Sequence, residues 1–185
     1  MATKNPRRII ILGPTGSGKT TLSRQIGECL KLPVIQLDAL FHRPNWTPTP
    51  RDEFREKVRN ALAAATDGWV FEGNYLSTAR YTTLPVADTV LWLRLPIRVT
   101  FWRMFWRTIR GLITREELYN TNRESWRMTF MSKDSLFLWG ITQHKPTHEK
   151  IEAALRDNEH NATVIQLRSA REVSEFVSEL PCASD

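Results

Sequence analysis

No hydrophobic run in the sequence is long. The longest apolar stretches, Ile9–Leu12 and Thr89–Leu93, are strand-sized, and a membrane-spanning helix needs roughly 18 such residues. The start, Met1–Arg8, is basic, but only Ile9–Leu12 follows before a glycine loop, so it does not read as a signal peptide. Cysteine is scarce: Cys29 and Cys182 stand far apart with no metal-ligand or redox spacing, and they read as a helix packing residue and a tail thiol. With no targeting segment and no disulfide framework, the expected compartment is a reducing cytoplasm. The four histidines, His42, His144, His148 and His160, show no metal geometry. Repeats, linkers and low-complexity tracts are absent, so the 185 residues read as one domain spanning 1–185.

What is present begins with charge. From Arg94 to Lys133 there are nine basic residues and three acids, a surplus of six that equals the net charge of the whole chain. Eight of the nine are arginine, the side chain suited to bidentate contact with phosphate. The field suggests an anionic partner, polyphosphate or nucleic acid, and composition does not choose between them.

Periodicity supplies the elements. Arg7–Leu12 reads as a buried strand ending at Gly13, and Leu22, Ile26, Cys29 and Leu30 form one helical stripe after it. Val34–Leu37 reads as a second strand ending at Asp38, and 39–48 as a loop. Thr49 as N-cap and Pro50 at the first helical position open a helix that Gly68 closes. Trp69–Glu72 is a third strand and Thr89–Leu95 a fourth. Pro96 opens a helix to about Arg110, with Ile97, Phe101 and Phe105 as its apolar stripe. The basic segment 111–133 reads as a lid. Helical spacing resumes near Asp134, breaks at Pro146 and returns in Ile151–Leu155. Thr163–Leu167 is a fifth strand, and Ser169–Glu172 is a capping box before a last helix. Strands alternating with helices predict an α/β fold, a parallel sheet covered on both faces.

Gly13-Pro14-Thr15-Gly16-Ser17-Gly18-Lys19-Thr20 matches G-x-x-x-x-G-K-[ST] in full. Glycines let backbone N–H groups turn inward around phosphate oxygens at a helix N-terminus. The spacing places Lys19 to reach the β- and γ-phosphates and the Thr20 hydroxyl to ligate Mg²⁺. Gly13, Pro14, Thr15, Gly16, Ser17, Gly18, Lys19, Thr20 and the neighbouring Thr21 are therefore the expected ATP-binding residues. No [NT]-K-x-D guanine motif and no L-S-G-G-Q transporter signature accompany them, which leaves a small kinase.

The P-loop, Leu37-Asp38-Ala39-Leu40-Phe41 and Phe71-Glu72-Gly73-Asn74-Tyr75 together resemble the adenylate kinase-like nucleoside and nucleotide kinases. More narrowly, Leu37–Trp46, Pro50–Phe54, Glu72–Tyr75 and Ala87–Val90 before an Arg/Trp-rich helix resemble the bacterial DNA topology modulation (FlaR-related) proteins. The resemblance implies a three-layer P-loop fold of sheet order 2-3-1-4-5, ATP at the P-loop, a lid, and an acceptor site beyond the second and third strands. Adenylate kinases usually carry D-G-[FY]-P-R after the third strand; here Asn74-Tyr75 follow Glu72-Gly73, and Arg80 comes later than an acceptor-phosphate arginine would.

Arg103 and Arg107, one turn apart, resemble the arginine pair before a kinase lid, and Arg123 and Arg127 repeat the spacing. Lid closure would bring all four around the phosphates; a solvated basic face is the alternative. Asp38 would orient or deprotonate an acceptor hydroxyl, or cap the next turn. Glu72 would hold Mg²⁺ with Thr20, or contact the acceptor. Phe41, Asn74, Tyr75 and Arg80 complete the expected acceptor set beside Asp38 and Glu72. Trp102, Trp106, Trp126 and Trp139 interleave with arginines, an arrangement open to nucleic-acid stacking or ordinary packing. The rival to a kinase acting on a nucleoside, nucleotide or small hydroxylated acceptor is a nucleotide-binding regulator that contacts DNA.

Overall fold

The computed structural model describes residues 6–75, 82–114, 140–157 and 160–182. Five strands form one parallel sheet: β1 (Arg8–Leu12), β2 (Val34–Gln36), β3 (Trp69–Glu72), β4 (Thr89–Leu93) and β5 (Thr163–Leu167), in the order β2-β3-β1-β4-β5. That is the expected fold class and strand order. Ile9 aligns with Val70 on one side and Thr89 on the other, so β1 is central.

Alternation along the strands divides the core. Ile9, Ile11, Val70, Leu91 and Leu93 face α1 (Lys19–Leu30) and the last helix, α6 (Ala170–Ser178). Ile10, Leu12, Phe71, Val90 and Trp92 face the other way. There they meet Leu37 of α2 (Leu37–Phe41), Phe54 and Val58 of α3 (Arg51–Ala64), and Ile151 of α5 (His144–Arg156). The near-continuous apolar strands therefore follow from burial on both faces. No helix among the described residues is long and apolar enough to cross a membrane.

Several expectations give way. β2 ends at Gln36, and Leu37 starts α2, which places Asp38 in a helical first turn rather than at a strand end. Burial decides this: Leu37 is fully enclosed in the core, and the chain turns to place it there. Thr49 does not cap α3; its hydroxyl donates to the Leu40 carbonyl, and Pro50 is the flanking residue. α3 ends at Ala64, before Gly68. Pro146 does not break α5 but lies in its first turn, where a missing N–H costs no helical bond. Ser169 does cap α6, accepting from the Glu172 N–H at 3.1 Å.

The helix after Pro96, α4, runs Ile97–Thr114, and its buried line is Thr100, Met104 and Thr108. Ile97 is exposed, as are Trp102 and Trp106. The expected stripe Ile97–Phe101–Phe105, of which Phe101 and Phe105 are half-buried, thus differs from the fully buried line. Small or slender side chains are needed there because the P-loop backbone comes close beneath: a Cβ on Gly16 would lie 2.2 Å from the Thr100 carbonyl oxygen.

The cysteine reading is overturned. Cys29 and Cys182 form a disulfide across 153 residues of sequence. Phe176 and Leu180 pack against Leu22, Ile26 and Leu30 of α1, and this docking brings the tail to Cys29. The bond removes the free-thiol argument for a reducing compartment.

Candidate active site

The phosphate loop links β1 to α1. Gly13, Gly16 and Gly18 all have positive φ, conformations that glycine adopts without steric cost. Ser17 N–H closes a turn onto the Pro14 carbonyl at 3.2 Å. Thr15 lies in the same turn, and Thr21 is exposed on α1. The N-terminus of α1 has no side-chain cap and no acid in its first turn, so its amides and dipole are left for an anion. Ser17 Oγ is buried without a hydrogen-bond partner, an orphan that a phosphate oxygen would satisfy.

Lys19 Nζ donates to the carbonyls of Gly13 at 2.8 Å and Pro14 at 3.2 Å. Burial lowers its pKa from the ordinary 10.5, outweighing the attraction of Glu72 and Asp38; Arg107 lowers it further. Glu72, at the end of β3, is 4% exposed and accepts from the Thr20 hydroxyl at 3.2 Å. Burial raises its pKa, against the opposing pull of Lys19 and the Thr20 hydrogen bond. The two groups expected to hold magnesium are therefore adjacent, beside the buried ammonium.

The chain after β3 connects this centre to Asp38. Asn74 grips Gly13 from both sides: its Oδ1 accepts from the Gly13 N–H at 3.1 Å, and its Nδ2 donates to the Gly13 carbonyl at 2.6 Å. The Tyr75 hydroxyl donates to Asp38 Oδ1 at 2.8 Å. Phe41 packs on the Tyr75 ring at 4.7 Å between centroids. Asp38, Phe41, Glu72, Asn74 and Tyr75 are thus gathered at the carboxyl edge of β1, β2 and β3, where open α/β sheets bind ligands. Arg103 Nη1 donates to the Ser17 carbonyl at 3.3 Å, so α4 rests on the P-loop through one of its expected arginines. Arg80, Arg123 and Arg127 lie outside the described residues, as do Trp126, Trp139 and most of the expected lid.

One grouping escaped sequence reading. Trp92 Nε1 donates to His148 Nδ1 at 3.0 Å, and the His144 ring stands 4.9 Å from His148. Burial first, then His144 and Arg94, lower the His148 pKa to about 4. The i, i+4 spacing of the two histidines on α5 was the available signal. Among the described residues no group of three or more His, Cys, Asp or Glu is placed to hold a metal.

No family model matches the chain. It is 30% identical over 102 residues to a shikimate kinase from Rhodococcus erythropolis, covering 49% of this chain and 60% of that protein. Against a tRNA dimethylallyltransferase from Parasynechococcus marenigrum it is 43% identical over 65 residues, which are 34% of this chain and 22% of that one. Both matches span less than two thirds of the relative's length. A cytidylate kinase from Pyrobaculum neutrophilum is 28% identical over 153 residues, covering 75% of this chain and 78% of that protein. Among solved structures, shikimate kinase from Acinetobacter baumannii in complex with shikimate superposes with a TM-score of 0.55 at 16% identity, over 95% and 91% of the two chains. The gluconokinase from Sinorhizobium meliloti 1021 gives 0.52 at 17%, over 95% and 94%. This is the fold of those kinases. Nothing in these comparisons bears on the expected likeness to DNA topology modulation proteins.

Proposed function

We propose that the chain is a small-molecule kinase that binds ATP with Mg²⁺ at the phosphate loop and phosphorylates a hydroxyl held at Asp38. The observation that carries this reading is the convergence of Lys19, Thr20, Glu72 and Asp38 at one sheet edge, linked by Asn74 and Tyr75. Likeness to shikimate and cytidylate kinases, and to gluconokinase in fold, supports the same class. The acceptor is a nucleoside, a nucleotide or a small hydroxylated metabolite. The domain is taken as 1–185 with a lid at about 111–133.

Asp38 takes the proton of the acceptor hydroxyl as its oxygen bonds to the γ-phosphorus. The bond to the β,γ-bridging oxygen breaks, and its electron pair leaves with ADP. Lys19 moves from the Gly13 and Pro14 carbonyls to the phosphates and balances the developing charge there. Thr20 and Glu72 offer hard oxygen donors that suit magnesium, and the ion when bound would supply further charge neutralisation. Arg103 already rests on the loop, Arg107 acts electrostatically on Lys19, and Arg123 and Arg127 would join them on lid closure. Arg80 would serve an anionic acceptor.

The DNA-contacting alternative has less to support it, because Arg103 donates to the Ser17 carbonyl of the P-loop. The test is ADP release from Mg-ATP across shikimate, gluconate, cytidine monophosphate, nucleosides and simple polyols, with Lys19→Ala as control. Turnover stimulated by one acceptor and lost in the variant is the expected result. ATP binding with no stimulated release would end the kinase reading.

A further inference from the structure

Three consecutive residues after β3 each hold a different part of the site. Gly73, at φ +135°, lies so close to Leu37 that an added Cβ would meet the Leu37 Cβ at 2.8 Å. Asn74 bonds Gly13 through both its amide atoms. Tyr75 donates its hydroxyl to Asp38 Oδ1. Leu37 is the neighbour of Asp38, so residues 73 and 75 fix the two halves of the same helical turn while residue 74 fixes the mouth of the P-loop.

We infer that Tyr75 is the positioning residue for the Asp38 carboxylate, and that Asn74 sets the distance between that carboxylate and the bound phosphates. The inference rests on the kinase reading above. A free aspartate side chain rotates, and a base that rotates is aligned with the acceptor only part of the time. The Tyr75 hydroxyl removes that freedom by engaging Oδ1. Oδ2, which has no hydrogen-bond partner among the described residues, is left for the acceptor. The tyrosine is itself immobilised, its ring lying 4.7 Å from Phe41 and 5.2 Å from Phe54. Its hydroxyl also lies 3.5 Å from His42 Nε2, and in this role it acts through Asp38 rather than on the transferred group.

Asn74 acts on the other side. Lys19 and Asn74 share the Gly13 carbonyl. When Lys19 moves to the phosphates, the Asn74 amide keeps that oxygen satisfied and the loop in place. The two neighbours thus divide the work: Asn74 serves nucleotide binding and Tyr75 serves transfer.

The experiment compares full-length wild type with Tyr75→Phe, Asn74→Ala and Asp38→Asn. ADP release from Mg-ATP is measured with the acceptor identified from the panel, and with water alone as the minimal acceptor. Tyr75→Phe is expected to lower kcat about ten- to hundred-fold, with KM for ATP within about twofold and a melting temperature within about 5 °C of wild type. Asn74→Ala is expected to raise KM for ATP by a larger factor than it lowers kcat. Wild-type kcat in Tyr75→Phe would overturn the inference. So would a joint collapse of kcat, ATP binding and melting temperature, which marks a purely structural role. Undiminished turnover in Asp38→Asn is a separate failure: it removes Asp38 as the base, and the positioning role falls with it.

Discussion

The ammonium of Lys19 sits 2.8 Å from the carbonyl oxygen of Gly13, inside the loop that it is expected to serve. The contact holds a cation whose pKa burial has already lowered. Incoming phosphates must exchange these carbonyls for better acceptors. Replacement by alanine removes a charge aimed at the transferring group, and losing one such preorganised donor typically costs about 10²–10³ in rate. Lys19→Ala should therefore lower kcat by about that factor and weaken ATP binding far less, as read by steady-state turnover and equilibrium binding of a fluorescent ATP analogue.

Glu72 sets function against stability. Burial raises its pKa above the ordinary 4.5. Between that value and the raised one the folded protein binds more protons than the unfolded chain, so its contribution to stability is present at low pH and is lost as pH rises through the raised value. Glu72→Gln removes the charge and keeps an oxygen for the Thr20 hydroxyl. The variant should match or exceed the wild-type melting temperature at pH 7 while losing Mg²⁺-dependent turnover. Parallel loss of both would mean that the carboxylate is structural.

Gly16 limits how closely α4 can approach. A Cβ there would lie 2.2 Å from the Thr100 carbonyl oxygen and 3.2 Å from the Met104 Cβ, at a φ of +77°. Gly16→Ala must shift α4 or the loop, in addition to roughly 1 kcal/mol for the left-handed backbone. ATP affinity should fall at least tenfold, measured by titration calorimetry. Unchanged affinity would show that α4 can move away from the loop without consequence.

The fold was largely legible because its signals are local. Continuous β-branched strands, the glycine loop and the Ser169–Glu172 box each act within a few residues. Errors arose where a distant partner decides. Leu37 leaves the strand because a core formed by Phe54, Phe71 and Trp92 accepts it, and no window of sequence contains that core. α4 buries Thr100 and Met104 because a glycine backbone more than 80 residues earlier lies against them. In the site, the P-loop and its Thr20–Glu72 pairing followed from motif position, and Asp38 and Tyr75 were both named. The bond between those two was not foreseeable, since it depends on the turn at Gly73 meeting Leu37.

His148 gives a pH signature distinct from the active site. Trp92 donates to its Nδ1, and burial, with His144 and Arg94 nearby, lowers its pKa from 6.5 to about 4. Between these values the unfolded chain binds more protons. Stability should therefore rise with pH from about 4 to 6.5 and be lost on acidification through the same window. The ring is only about half enclosed, so solvent screening limits the effect to about 1–2 kcal/mol. Urea midpoints at pH 4.5 and 7 should converge in His148→Gln relative to wild type.

The Cys29–Cys182 bond makes the strongest prediction about stability. It ties the end of α1 to the tail beyond α6 and closes a loop of 153 residues. In the chain-entropy account such a crosslink contributes about 5 kcal/mol, worth roughly 10–20 °C in melting temperature for a domain of this size. Cys182 is exposed and Cys29 half-buried, so a dithiol reaches the bond without unfolding the protein. Calorimetry with and without reductant should show a drop of that order in wild type and none in Cys182→Ser, which should melt near the reduced protein. Leu22, Ile26, Phe176 and Leu180 pack together independently of the two sulfurs, so turnover at 25 °C should be unaffected by reduction. A reductant-insensitive wild type would mean that the two sulfurs do not pair in solution and that packing alone holds the tail on α1.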